Sequence, residues 1–205
     1  MKPVRYHHGD LQNALVGEAL DLARLGGERA VTVRAAARGA GVSHAAAYRH
    51  FRSRRALLAS VATEGMNRLA AVLEEATHGD PPLQRFRSLV AAYLSWAFSN
   101  PGVFHLAFSQ ELWDKETLPR LREASDRASR PVLDAAADHL GPSAAEGEAR
   151  RLAVAAWALA HGFAVLALNR QLTQGELSVA GQVPALVDLA GDAVCVLAGG
   201  WPGGS

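Results

Sequence analysis

Apolar residues recur along this chain at steps of three and four, and no stretch of useful length alternates apolar with polar. That period is helical, so an all-α protein is expected. Leu11, Leu15, Ala19, Leu22 and Leu25 make the first stripe, which Asp10 opens as N-cap and Gly26-Gly27 stops. Thr32 and Ser43 stand where N-caps belong, each before a short apolar pattern, with Gly41 placed to end the first of the two in a left-handed turn. Ser53 caps a fourth helix that runs to about Ala76. A fifth covers Leu83 to Ser99 and a sixth Val103 to Trp113. Thr117 to Leu140 continues in helical pattern but holds Pro131, which predicts a kink or two pieces. Ala144 to Leu172 and Val183 to Gly199 complete a set of about nine helices.

The stretch from Val31 to Leu58 carries the most information. Two short helices joined by a glycine-containing turn form a helix-turn-helix unit, whose second helix enters the DNA major groove. Val33, Ala36, Ala37, Ala40, Val42, Ala47 and Phe51 are expected inside. Arg34, Ser43, His44, Ala45, Tyr48, Arg49, His50 and Arg54 are left outside, a surface of donors, cations and one aromatic ring. Thr32, Tyr48, His50 and Arg54 are assigned to phosphates, and Arg34, Ser43, His44 and Ala45 to base edges. Arg34 is the candidate for a guanine, because its fork matches O6 and N7.

These residues resemble the tetracycline-repressor (TetR) family of transcriptional regulators. The likeness rests on Thr32-Val33-Arg34, Ala40-Gly41-Val42-Ser43, Tyr48-Arg49-His50-Phe51, and Arg54 followed by Leu57-Leu58. It covers about sixty residues, from Gly9 to Leu69. It implies a three-helix DNA-binding head on a larger helical body, an inverted-repeat operator read by a dimer, and repression as the common behaviour. Trp157, His161 and Gly162 add a resemblance to the Trp-His-Gly subgroup of that family.

Charge sharpens the division. Residues 1–60 hold ten Lys/Arg and four Asp/Glu, a balance of +6, while residues 61–205 hold eleven and sixteen, a balance of −5. A basic head on an acidic body places the polyanion partner, double-stranded DNA, at the N-terminal end. The expected organisation is a flexible basic arm over 1–9, a helix-turn-helix domain over 10–58 with its motif at 32–51, an effector-binding and dimerisation body over 59–199, and a disordered tail over 200–205.

In the body, Tyr93, Trp96, Phe104, Phe108, Trp113, Trp157 and His161 are the candidates for a pocket that takes a small apolar or aromatic effector, with His161 as polar anchor. Gly162 is expected to let another backbone come close. The same residues serve equally well as ordinary core. The eighth helix is apolar on two faces, which implies a partner subunit. Leu152, Ala156, Leu159 and Phe163, with Leu186, Ala190, Val194 and Leu197 of the ninth, are assigned to a homodimer interface of four helices.

Other chemistries find little purchase. There is no glycine-rich phosphate loop after a strand, no G-x-S-x-G and no H-E-x-x-H, so an enzyme is not expected. The different-class alternative is a helical small-molecule-binding protein, or an enzyme, without operator binding. His7-His8 lacks a third ligand at metal spacing, and neither a metal nor a cofactor is expected. The one cysteine, Cys195, cannot form an internal disulfide. No secretory segment is read in MKPVRYHHGD, and no uncharged apolar run of about eighteen residues, so a cytoplasmic location without a membrane span is expected.

Overall fold

The computed structural model describes residues 8–77, 79–109, 112, 118–172, 178 and 183–200. Among them are nine helices and no strand: α1 (His8–Ala30), α2 (Val33–Gly39), α3 (His44–His50), α4 (Arg54–Ala76), α5 (Pro82–Ser99), α6 (Pro101–Ala107), α7 (Pro119–Leu140), α8 (Glu148–Leu168) and α9 (Val183–Gly199). The all-α expectation holds.

Two compact units divide the chain. One draws on residues 1–68 and 100–125, the other on 69–99 and 126–205. Helices α4 and α7 each contribute a segment to both. The first unit thus holds α6 as well as the helix-turn-helix, a wider set than the 10–58 head read from sequence.

Local chemistry sets the elements of the first unit. Thr32 Oγ1 accepts from the Ala35 N–H at 3.0 Å, Ser43 Oγ from Ala46 at 3.2 Å and Ser53 Oγ from Ala56 at 3.1 Å, so all three serine and threonine caps act as expected. Gly41 takes φ +66° and closes α2. The N–H of Gly41 donates to Arg38 O and that of Val42 to Ala37 O, the paired bonds of a Schellman motif. Val33, Ala36, Ala37, Ala47 and Phe51 are buried beside Leu15, Ala19 and Ala23 of α1. The start of α1 differs from expectation. It lies at His8, so Asp10 falls inside the first turn and is not the cap. The break at Gly26-Gly27 appears as a local non-helical residue, Gly27 (φ 66°, ψ −171°), before a last short turn.

Helix α6 nests among its neighbours through two glycines. A Cβ on Gly102 would lie 1.9 Å from the Ala23 carbonyl oxygen of α1, and one on Gly65 of α4 would lie 2.6 Å from a Val103 methyl. Only a residue without a side chain permits α6 to approach the α1 backbone so closely. The helix spans Pro101–Ala107, shorter than the expected Val103–Trp113, and Trp113 lies outside the described residues.

In the second unit α5, α8 and α9 pack together. Phe86, Val90, Tyr93 and Leu94 of α5 are buried, as are the small residues of α8 (Ala153, Ala156, Ala160, Ala164) and of α9 (Ala190, Gly191, Ala198). Arg87 of α5 lies along Gly191 and pairs with Asp192. His139 of α7 meets the Ala198 carbonyl at 3.0 Å, satisfying one acceptor at the C-terminal end of α9. Pro131 does not divide α7, which runs unbroken from Pro119 to Leu140.

Helix α8 corrects the reading that no uncharged run approaches eighteen residues. Nothing between Leu152 and Asn169 is charged, and by length and composition the helix could cross a bilayer, with a mean hydropathy of 1.7. Its outward residues include Val154, Trp157 and Leu166, so much of that apolar surface stays uncovered in a single chain.

Candidate nucleic-acid interface

Helix α3 buries one residue, Ala47, and gives most of its remaining surface to solvent. Ser43, His44, Ala45, Tyr48 and Arg49 are exposed; Tyr48 retains half of its surface. On α2, Thr32 and Arg34 are exposed as well. Arg34 and Arg49 have no partner within the chain among the described residues. The capping bonds of Thr32 and Ser43 use lone pairs only, so both hydroxyl protons stay available to an external acceptor. His50 is half-buried at the end of α3 and interacts within the chain.

Arg54 has partners within the chain. Its Nε donates to Val31 O at 2.9 Å, Nη2 to Glu28 O at 2.6 Å, and Nη1 meets Glu28 Oε1 at 3.2 Å. Three of the five guanidinium N–H donors thus serve the turn between α1 and α2. This gives Arg54 a role within the chain that its assignment to a DNA phosphate did not include. The first turn of α4 tolerates Arg54 because the charge is matched from α1.

The candidate effector residues fall into two groups. Tyr93, Trp157 and His161 come together in the second unit. Tyr93 Oη lies 2.7 Å from His161 Nδ1, and the His161 ring lies 5.5 Å from that of Trp157, centroid to centroid. Trp157 also bonds to Tyr93, and since an indole can only donate, the phenol oxygen accepts from Trp157 while sharing a hydrogen bond with His161 Nδ1. Burial raises the Tyr93 pKa, with the Trp157 bond opposing, and burial lowers that of His161, so both stay neutral near pH 7. The four-residue spacing of Trp157 and His161 is thus explained by a shared partner that sequence did not reveal. Trp96 is buried in the same unit. Phe104 and Phe108 belong to the first unit, with ring centroids 5.0 Å apart. A Cβ on Gly162 would meet nothing within 4 Å among the described residues of its own chain, so no backbone of that set lies against it.

Two cavities in the second unit are lined by other residues. One of about 530 Å³ has Glu74, Arg85, Arg130, Asp134 and Asp138 on its walls. Its rim is tied by Arg127 to Glu74, both bonds at 2.8 Å, and by Arg85 to Asp138. The other, of about 330 Å³, is an open groove on α8 between Arg150, Arg151, Val154 and Ala158.

The interface candidates on α8 and α9 divide into two groups. Leu152, Ala156, Leu186, Ala190 and Val194 are buried within their own chain, and Leu159, Phe163 and Leu197 are half-buried. The outward positions are Val154, Trp157 and Leu166 of α8, with Leu189 and Val196 of α9. An apolar helix gives no phase of its own. The stripe that looked free is the one these helices use to reach α5 and each other.

Residues 15–61 match the family model for bacterial regulatory proteins of the tetR family, and residues 86–189 match that for the tetracyclin repressor-like C-terminal domain. A solved structure of a protein of unknown function from Rhodococcus sp. RHA1 is 30% identical with a TM-score of 0.75, over 95% of this chain and 98% of that one. A TetR transcriptional regulator from the same organism is 16% identical (TM-score 0.64; 93% and 97% covered). The TetR family transcriptional regulator PfmR from Thermus thermophilus is 18% identical (TM-score 0.58; 92% and 98% covered). These last two show the fold alone. No curated protein sequence matches the chain.

Proposed function

This chain belongs to the TetR family of transcriptional regulators, with a helix-turn-helix DNA-binding head, and we propose that it acts as a dimeric, effector-released repressor in the cytoplasm. The observation that carries the reading is the exposed face of α3 with Arg49, which has no partner among the described residues. Ser43, His44, Ala45 and Arg49 stand free of the protein's own packing, with Arg34 on the adjoining helix. Arg34 reads a guanine, Ser43, His44 and Ala45 meet neighbouring base edges, and Thr32, Tyr48 and His50 hold phosphates. Two such helices, one per subunit, fall in successive turns of the major groove and call for an inverted-repeat operator.

The uncovered apolar residues of α8 and α9 support a two-fold pairing of these helices, with Val154, Trp157, Leu166, Leu189 and Val196 at its centre. The Tyr93–His161–Trp157 network supports an effector site of aromatic walls and neutral hydrogen-bonding groups, suited to a small apolar or aromatic molecule. Such a molecule acts by favouring a dimer whose heads do not match the groove spacing.

A mobility-shift assay on DNA upstream of the coding gene tests the reading. A shift resisting unrelated competitor is expected, and Arg34→Ala should weaken it while relaxing sequence preference at one position, at about 1–3 kcal/mol. Equal binding to operator and random DNA would contradict it.

A further inference from the structure

We infer that Arg38 and Arg52 hold the phosphates that flank the reading helix; the inference rests on the DNA-binding role proposed above. From residue 29 to residue 63 the sequence has seven arginines and no aspartate or glutamate. No carboxylate within that stretch can neutralise them. Arg54 is claimed by Glu28 of α1, and Arg55 interacts within the chain. Arg38 and Arg52 are exposed and have no partner among the described residues.

Their places suit the task. Arg38 lies four residues after Arg34, so the two stand one above the other on a single face of α2. In a helix-turn-helix that helix crosses the DNA backbone while the next lies in the groove. The neighbouring flank of α2, about 100° round the helix from Arg38, is occupied: Gly39 lies under the Glu18 carboxylate of α1. Arg52 follows Phe51, the C-cap of α3, just as the chain leaves the reading helix. The two arginines therefore bracket α3, one from the helix before it and one from the segment after it. The competing explanation for Arg38, a cation complementing the C-terminal end of α2, concerns folding only.

The two explanations separate in a salt titration of the full-length protein with a labelled upstream duplex and a random duplex of equal length, from about 50 to 200 mM salt. Removing one phosphate contact lowers the slope of log affinity against log salt by about 0.9, or about 1.8 for a dimer. Arg38→Ala and Arg52→Ala should each weaken both duplexes at low salt and shrink the salt-driven fall in affinity about tenfold relative to wild type. Arg38→Lys should keep the wild-type slope, and the melting temperatures of all three should stay near wild type. Arg54→Ala, by contrast, should lower the melting temperature. An unchanged slope in both alanine variants would overturn the inference while leaving the DNA-binding role intact. Failure of the wild-type protein to bind either duplex would overturn both.

Discussion

Arg54 and Glu28 meet twice: a guanidinium nitrogen donates to the Glu28 main-chain carbonyl at 2.6 Å, while another approaches its carboxylate at 3.2 Å. The same carbonyl also accepts from the Val31 N–H at 3.1 Å, and Arg54 Nε reaches Val31 O. One side chain at the start of α4 thus closes the turn that delivers the chain into α2. It fixes the approach of the helix-turn-helix without touching it.

Arg54→Ala should therefore reduce stability. It removes three partly exposed, charge-assisted bonds, worth about 1–2 kcal/mol together after allowing for solvent. Arg54→Lys should recover little, because an ammonium cannot serve two carbonyls in fork geometry. Urea unfolding measures both, and a wild-type midpoint in the alanine variant would contradict the assignment.

The Tyr93–His161 bond has a pH signature. Burial lowers the folded-state pKa of His161 below its ordinary value of 6.5. Between those two values the unfolded chain binds the extra proton, so the contribution of this residue to stability is present above pH 6.5 and lost as pH falls through the window. His161→Gln should flatten that part of the stability profile relative to wild type. Identical profiles from pH 5 to 7 would show that the imidazole is not held neutral.

Two glycines should respond in opposite senses. Gly102→Ala forces a methyl against the Ala23 carbonyl and should cost about 1–3 kcal/mol. Gly17, inside α1, has nothing within 4 Å of a Cβ, so Gly17→Ala should gain about 0.5–1 kcal/mol in helix propensity. Thermal melts that moved in the same direction would contradict the close approach of α6 to α1.

The face of α8 and α9 that meets a second subunit can be read from a charge. Val196 is 76% exposed in the single chain, so Val196→Glu should leave folding intact while weakening a dimer about 100-fold or more, through an unpaired carboxylate in the interface. Leu152→Ala should instead cost about 2–5 kcal/mol of folding stability, because Leu152 is fully buried in its own chain. Sedimentation of both variants decides it; a Val196→Glu dimer as tight as wild type would remove this face from the interface.

What can be read from sequence follows the range of each interaction. The caps Thr32, Ser43 and Ser53 and the turn at Gly41 act across three or four residues, so the helix-turn-helix is legible down to its hydrogen bonds. The intrachain role of Arg54 is hidden because its carbonyl partners lie 23 and 26 residues upstream, and a first-turn cation looks the same whether or not α1 answers it. Tyr93 stands out as an aromatic residue of the body, but nothing local discloses its bond to His161, 68 residues away. Gly102 reads as a helix breaker although its use is to admit a neighbouring backbone. For α8, a helix apolar all round carries no information on which face its own chain covers.

The most direct test of the central claim is the affinity of the purified protein for its upstream DNA, measured by fluorescence anisotropy as salt rises from about 50 to 200 mM. A dimer that neutralises roughly 6–10 phosphates predicts a fall of about 10³–10⁵-fold across that range. Affinity that stays level with salt, or no difference from an unrelated duplex at any salt, would contradict a head that grips the backbone and reads bases with α3.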